Sequence, residues 1–292
     1  MSISRRFAPW ILLAPFLATF AVFFVYPVFQ SLLLACRQTF GNTASAWVGL
    51  DNFQRLAVDP MFWKAVANTF VFTLGSVFIQ LPLALLLAIL LQSPGIRGRG
   101  FYRLALFSPA MVGIPFSATM FAVIFEKRTG VLNQVLHRVV GFDLDYSWLQ
   151  EHVMWALIVA ALWMYTGFNM VFFSAALQNV RRDVAEAAII DGAGPWNRFL
   201  HVTLPAIRPV AGFVVLLSVI GSFQLFELPW LMLNSTAGPD NRGLTVVMYL
   251  YQVGFETGNL GHASAVGWVL TVILAALAAV QRWTARGEEM GT

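Results

Sequence analysis

The chain has 292 residues and a net charge of +4, with 59% hydrophobic and 11% charged residues. Soluble proteins run at about 45–50% apolar and about 25% charged, so this composition, with its 26 Phe and 10 Trp, excludes an ordinary soluble enzyme, a disordered chain and a disulfide scaffold. One cysteine, Cys36, removes zinc clusters and internal disulfides; the two lysines, Lys64 and Lys127, follow no glycine and so make no P-loop; the charge forms no basic stripe, and nucleic acid is not an expected partner.

A lipid bilayer is the expected surrounding. Its hydrocarbon core, about 30 Å thick, needs roughly 20 apolar residues of helix. Six stretches meet that length, at 10–32, 66–91, 104–125, 153–177, 208–233 and 263–283. Lipid offers backbone amides no partner, so each is expected to be helical, with Pro15, Pro27, Pro82, Pro115 and Pro229 as kinks. The ten-residue alternation of a barrel strand is absent. The expected fold class is all-α, a polytopic membrane protein with six transmembrane helices in one domain over 1–292.

Arg5 and Arg6, followed by an apolar run ending at Leu33-Leu34-Ala35-Cys36, imitate a lipoprotein signal. The run exceeds a signal's 7–15-residue core and is interrupted by Tyr26-Pro27 and Gln30, so Cys36 is read as a plain thiol near the outer interface. An even number of spans puts both termini on one side. Placing them inside puts Arg5, Arg6, Arg97, Arg99, Arg103, Arg181, Arg182, Arg198, Arg208, Arg282 and Arg286 on the inner face, against Arg37, Arg55, Lys64, Lys127, Arg128, Arg138 and Arg242 outside. That is a modest positive-inside bias, clearest in the 92–103 loop. The outer loops, 33–65, 126–152 and 234–262, are too short for separate domains. Asn52–Leu56 and Met61–Trp63 suggest interfacial helices, and Trp47, Trp63, Trp148 and Trp230 fit an aromatic belt. The sequon at Asn234 is read as accidental, and His137 and His262 show no metal spacing.

Segment 178–207 breaks the membrane pattern with polar residues and helix punctuation. Asp183 followed by Glu186 reads as a capping box. Residues 184–191 then make two turns, and Gly192 supplies a left-handed stop. Pro195 opens a second short helix to Thr203, which Leu204-Pro205 is expected to end.

Glu186-Ala187-Ala188-Ile189-Ile190-Asp191-Gly192-Ala193, followed by Phe199 and Thr203-Leu204-Pro205, resembles the EAA loop of inner-membrane permease subunits of bacterial ABC importers, and Arg208-Pro209 is also similar. Gly49-Leu50-Asp51-Asn52-Phe53, Asn68-Thr69, Gly130-Val131-Leu132-Asn133 and Gly261-His262-Ala263-Ser264-Ala265 look like the carbohydrate branch, related to maltose and glycerol-3-phosphate permeases. Val180-Arg181 departs from the usual Ile-Pro, and Ala237-Gly238-Pro239 from Gly-Gly-Pro, blurring alignment at the outer end of the fifth span.

The resemblance implies a type I importer permease fold, no enzymatic activity and no cofactor of its own, ATP being used by a separate subunit. It implies a cell inner membrane location with both termini cytoplasmic. The implied partners are a second permease subunit, expected to be a different chain, two copies of an ABC ATPase, an extracytoplasmic solute-binding protein and a carbohydrate. Contact with the ATPase would fall to Glu186, Ala187, Ala188, Asp191, Gly192 and Ala193. The two alanines permit close approach, and Gly192 sets an angle that a side chain would resist. An ordinary hairpin between the fourth and fifth spans is the other reading of this loop. By position, Gly167, Asn169 and Met170 match the family's sugar-contacting fourth span, and Ser218, Gly221, Ser222 and Leu225 its fifth; Gln224 and Glu227 add polar groups nearby. Each either meets solute or lets helices pack closely, and Glu227 either meets the pathway or reaches interfacial water. The alternative class is an ion-gradient-driven secondary transporter of small polar solutes. It calls for charged relays in mid-membrane, whereas the spans are nearly uncharged apart from Glu227. Paired aspartates, a Ser–His pair at membrane depth and a His-Glu-x-x-His helix, the marks of an intramembrane enzyme, are missing from the sequence.

Overall fold

The computed structural model describes residues 8–40, 44–93 and 95–289. Arg5 and Arg6, which enter the orientation argument, lie outside the described residues. Among the described residues, five helices are long and apolar enough to cross a bilayer: Leu12–Ala35, Pro60–Gln92, Val153–Gln178, Pro195–Phe223 and Leu260–Trp283. A sixth apolar stretch comes in two pieces, Arg99–Met111 and Ile114–Ile124, bent by 96°. The helical, polytopic class expected from composition is the one observed. The chain forms two compact units, Met1–Phe62 with Tyr249–Val272, and Trp63–Met248 with Ile273–Thr292.

In the first unit, the helix Leu12–Ala35 is followed by an antiparallel pair of strands, Arg37–Phe40 and Ala44–Trp47. A helix that stops leaves its last carbonyls without partners. Here the buried Asn52, at the start of the helix Asp51–Val58, donates its amide to the carbonyls of Ala35 and Arg37, both at 2.8 Å. Gly261 donates its N–H to Thr39 Oγ1 at 3.0 Å, and a Cβ there would lie 1.9 Å from the Arg37 carbonyl oxygen. Two motifs more than 200 residues apart in sequence therefore meet at one stretch of backbone. In the same unit Tyr249 donates its hydroxyl to Asp59 and lies 3.2 Å from His262 Nε2.

The second unit is built on Val153–Gln178. Its Leu157 and Met164 pack with Phe121 and Leu228 in one cluster, and its Met170 and Phe173 with Leu81, Ala88, Ile207 and Val214 in another. Its polar side chains again serve backbone. Asn133, fully buried, donates to the carbonyls of Leu144 (3.2 Å) and Tyr146 (2.7 Å) and accepts from Trp148 Nε1 (2.7 Å). Asn68 donates to the carbonyls of Asn241 and Leu244, and Thr69 Oγ1 accepts from the Val246 N–H.

Of the prolines expected as kinks, Pro15 lies inside the helix Ala8–Phe20, and the others are accommodated locally. Three π turns, Ala21–Val25, Ser76–Gln80 and Phe199–Thr203, each end two residues before a proline: Pro27, Pro82 and Pro205. Proline lacks an N–H, and its ring clashes with the carbonyl four residues back. Widening one turn moves that carbonyl aside, and the helix continues past the proline. Pro115 and Pro229 instead stand in the first turns of Ile114–Ile124 and Glu227–Met232, where the missing N–H costs little.

Two expected spans are corrected. The stretch 104–125 is broken rather than kinked: a 3₁₀ turn at Ser108–Met111 closes with the Val112 N–H on the Pro109 carbonyl, and Gly113 is extended. The expected fifth span, 208–233, ends at Phe223; Gln224 and Phe226 leave helical geometry, and Glu227–Met232 is a separate helix. Thr245 donates its hydroxyl to the Leu225 carbonyl at 2.6 Å, which satisfies the break.

Asn133→Leu keeps the size but strips three backbone and side-chain partners. It is expected to cost about 1–3 kcal/mol, read as a lower melting temperature of the detergent-purified protein; an unchanged melting temperature contradicts the assignment.

Candidate functional site

A cavity of about 240 Å³ lies among the helices Pro60–Gln92, Val153–Gln178 and Pro195–Phe223. Its wall consists of Phe72, Ser76 and Gln80; Tyr165, Phe168 and Asn169; and Leu217, Ser218, Gly221, Ser222 and Leu225. The polar groups are neutral amides and hydroxyls, set between aromatic and aliphatic faces. Gln80, Asn169 and Ser222 are 3%, 6% and 4% exposed. Ser76 donates to Gln80 Oε1 at 2.9 Å. The side chains of Asn169, Ser218 and Ser222 find no hydrogen-bond partner among the described residues. They line the hollow, where a ligand or water can reach them.

Of the residues singled out from sequence, Asn169, Ser218, Gly221, Ser222 and Leu225 come together in this wall. The other four do not. Gly167 faces the break of the third stretch, where a Cβ would lie 1.8 Å from the Leu106 carbonyl oxygen, so its bareness serves backbone packing. Met170 is fully buried in the apolar core. Gln224, expected within the fifth span, stands exposed just past its end, and Glu227 is exposed in the first turn of the following helix. The sequence reading missed Phe72, Ser76, Gln80, Tyr165, Phe168 and Leu217. The spacing of Phe72, Ser76 and Gln80, two polar residues four apart in an apolar span, was the available signal.

The second feature is the loop after Val153–Gln178. Its helix is Arg182–Ile190, with Arg181 at the N-cap and no side-chain cap. The expected capping box is therefore not formed: Asp183 lies inside the first turn and binds the Arg181 guanidinium (Nε to Oδ1 3.2 Å), leaving Glu186 exposed and uninvolved in a cap. The Arg181 hydrogen bond holds the Asp183 carboxyl below the usual carboxylate range. A carboxylate there also complements the positive end of the helix. The other end is as expected. Gly192 has φ +78°, its N–H meets the Ile189 carbonyl at 3.0 Å, and the Ala193 N–H meets the Ala188 carbonyl at 2.9 Å; this pair of bonds is a Schellman stop.

Pro195 opens the next helix as expected, but Leu204-Pro205 does not end it. The Leu204 N–H reaches the Phe199 carbonyl through the π turn, and the helix runs unbroken for 29 residues to Phe223. At 1.5 Å per residue that is a rod of roughly 40 Å, with the loop at one end and Ser218 and Ser222 near the other. The loop carries large apolar groups in the open: Ile190 is 85% and Trp196 68% exposed, and Val184 and Ile189 are also exposed. Trp196 stacks on Phe199 with centroids 5.6 Å apart. Ile190 and Trp196 were not foreseen as contact residues beside the small ones.

Apolar spanning helices around a hollow of neutral polar groups, one of them running on into an exposed apolar loop, are the parts of a membrane permease and not of an enzyme. The chain matches over residues 4–287, and belongs to, the family described as binding-protein-dependent transport system inner membrane component. It is similar to the arabinooligosaccharides transport system permease protein AraP of Bacillus subtilis (strain 168), 36% identical over 274 residues, or 93% of this chain and 86% of that protein. It is likewise similar to the lactose transport system permease protein LacF of Rhizobium radiobacter, 35% identical over 281 residues, covering 95% and 93%. In fold it resembles a chain of a bacterial ABC transporter involved in the import of the acidic polysaccharide alginate, with a TM-score of 0.83, 21% identity and coverage of 97% and 96%. It is a multi-pass protein of the inner membrane, and the secondary-transporter alternative is not favoured.

Two glycines separate packing from passage. Gly221→Leu, with nothing within 4 Å of the new Cβ, should fold and elute from size exclusion like the parent while obstructing solute uptake. Gly167→Leu should fail to yield folded protein. The reverse pattern would move the pathway away from this cavity.

Proposed function

We propose that the chain is one of two membrane-spanning subunits of an ATP-driven importer for carbohydrate, and that its loop Arg182–Thr203 docks on a separate ABC ATPase. The observation that carries this is the continuous helix Pro195–Phe223, which joins the loop to the cavity wall. ATPase closure against Ile190 and Trp196 would be delivered along that continuous helix to Ser218 and Ser222. Moving a transporter from 1:99 to 99:1 between inward and outward states takes about 5.5 kcal/mol of state difference. A loop stiffened by the Gly192 stop, and continuous with a span, can carry such a load. Glu186, Ala187, Ala188, Asp191, Gly192 and Ala193 form the expected close contact, with the exposed Ile190 and Trp196 as its apolar anchors; such anchors concentrate binding energy at protein interfaces.

The carbohydrate reading rests on the relatives AraP and LacF and on a wall suited to polyhydroxylated solutes, which offer many neutral donors and acceptors. The remaining parts of the assembly in this reading are a second permease subunit of different sequence, two ATPase copies and an extracytoplasmic binding protein. The arginines at 97, 99 and 103 support a cytoplasmic side for their loop and, with it, for both termini.

Ile190→Asp puts a charge where an apolar contact is needed and should abolish co-purification of the ATPase. Gly192→Val forces a β-branched residue to φ +78°, at about 1–3 kcal/mol, and should leave the protein inserted but raise ATP hydrolysed per sugar imported. If both variants co-purify with the ATPase and transport normally, the loop is a plain connection between spans.

A further inference from the structure

The second span reaches the cavity through a π turn. Phe72, Ser76 and Gln80 follow at four-residue intervals and all line the hollow. At 100° per residue, a straight α-helix would carry position 80 about 80° away from position 72. The π turn Ser76–Gln80, closed by the Leu81 N–H on the Ser76 carbonyl, absorbs an extra residue and keeps Gln80 on the cavity face. Pro82 supplies the reason for that turn. Ser76 then fixes the Gln80 amide by donating to its Oε1. The Gln80 Nε2 donors, on a side chain 3% exposed, have no acceptor among the described residues. The amide lines the hollow, where a solute oxygen can accept from it.

The wall contains no Arg, Lys, His, Asp or Glu among the described residues. An anionic solute entering it would shed water and gain no cation in exchange, which amides and hydroxyls offset poorly. The same fold occurs in a transporter involved in the import of acidic alginate, so the fold does not set the cargo's charge; the wall does.

We propose that Gln80 is a specificity-determining residue of this cavity, donating to a hydroxyl oxygen of an uncharged saccharide, and that the cavity admits neutral sugars while excluding uronates and sugar phosphates. This deepens, and rests on, the carbohydrate reading above.

The test uses the complete transporter, reconstituted with its partner subunits and binding protein, and measures uptake of lactose, an arabinotriose, an alginate trisaccharide and glycerol 3-phosphate. The unmodified protein should take up a neutral sugar and neither anion. Gln80→Met, similar in volume but without donors, should lower neutral uptake at least ten-fold. Gln80→Asn, which keeps an amide, should restore part of it. Gln80→Arg, with the binding protein unchanged, should raise the ratio of anionic to neutral uptake at least ten-fold. Assembly of each variant is read by size exclusion, and Gln80→Arg and Gln80→Asn decide the matter if Gln80→Met does not assemble. Parental uptake by an assembled Gln80→Met, an unchanged ratio in Gln80→Arg, or anion uptake equal to neutral uptake by the parent overturns the proposal and leaves the carbohydrate reading intact. If the parent imports none of the four, the carbohydrate reading falls with it.

Discussion

Buried backbone amides and carbonyls must find partners within the protein, and the rest of this structure depends on how that rule is met wherever a helix stops or bends. Asparagine and threonine do much of it. Asn52 takes the carbonyls at the end of the first span, and Asn133 those of Leu144 and Tyr146. Asn68 and Thr69 secure the turn before Val246, and Thr245 takes the Leu225 carbonyl where the fifth span ends. Each break is thereby fixed in place. A fixed break can shape a cavity, where an unsatisfied one would simply refold into longer helix.

The π turns extend the same logic to proline. Pro82 and Pro205 would each interrupt a helix if the turn before them kept α geometry. With one widened turn, the second span presents Gln80 to the hollow, and the loop helix becomes one rod with the fifth span. The first consequence gives the cavity part of its chemistry; the second gives the loop a direct mechanical connection to that cavity. Both follow from the same local accommodation.

Much of this was legible in the sequence because it depends on short-range rules. Apolar run lengths located the spans, a glycine after Ile189-Ile190-Asp191 located the helix stop at Gly192, and Pro195 located the next start. Asn169 on the fourth span and Ser218, Gly221, Ser222 and Leu225 on the fifth followed from their matching positions in the family. What was not legible depends on partners distant in the chain or on competing local geometry. Nothing in Gln224-Leu225-Phe226 announces the end of a helix, because the group that stabilises the break, Thr245, lies twenty residues on. Pro205 has the same letter whether it stops a helix or follows a π turn. Asp183 fits a capping pattern, yet the helix begins one residue before it, so its carboxylate lies inside the first turn beside Arg181. Ser76 and Gln80 were not singled out: their four-residue spacing hints at a shared face, but the alignment with Phe72 is completed only by the widened turn.

The central claim is that the hollow beside Ser222 is the solute path and that the ATPase-facing loop controls access to it. In a background with Cys36 replaced by serine, a single cysteine at Ser222 in the assembled transporter reports on this directly, through its rate of labelling by a small hydrophilic thiol reagent with and without nucleotide and sugar. The account predicts labelling that changes with the nucleotide state of the ATPase and is slowed by the transported sugar. Labelling that is absent in every state, or indifferent to both nucleotide and sugar, would contradict it.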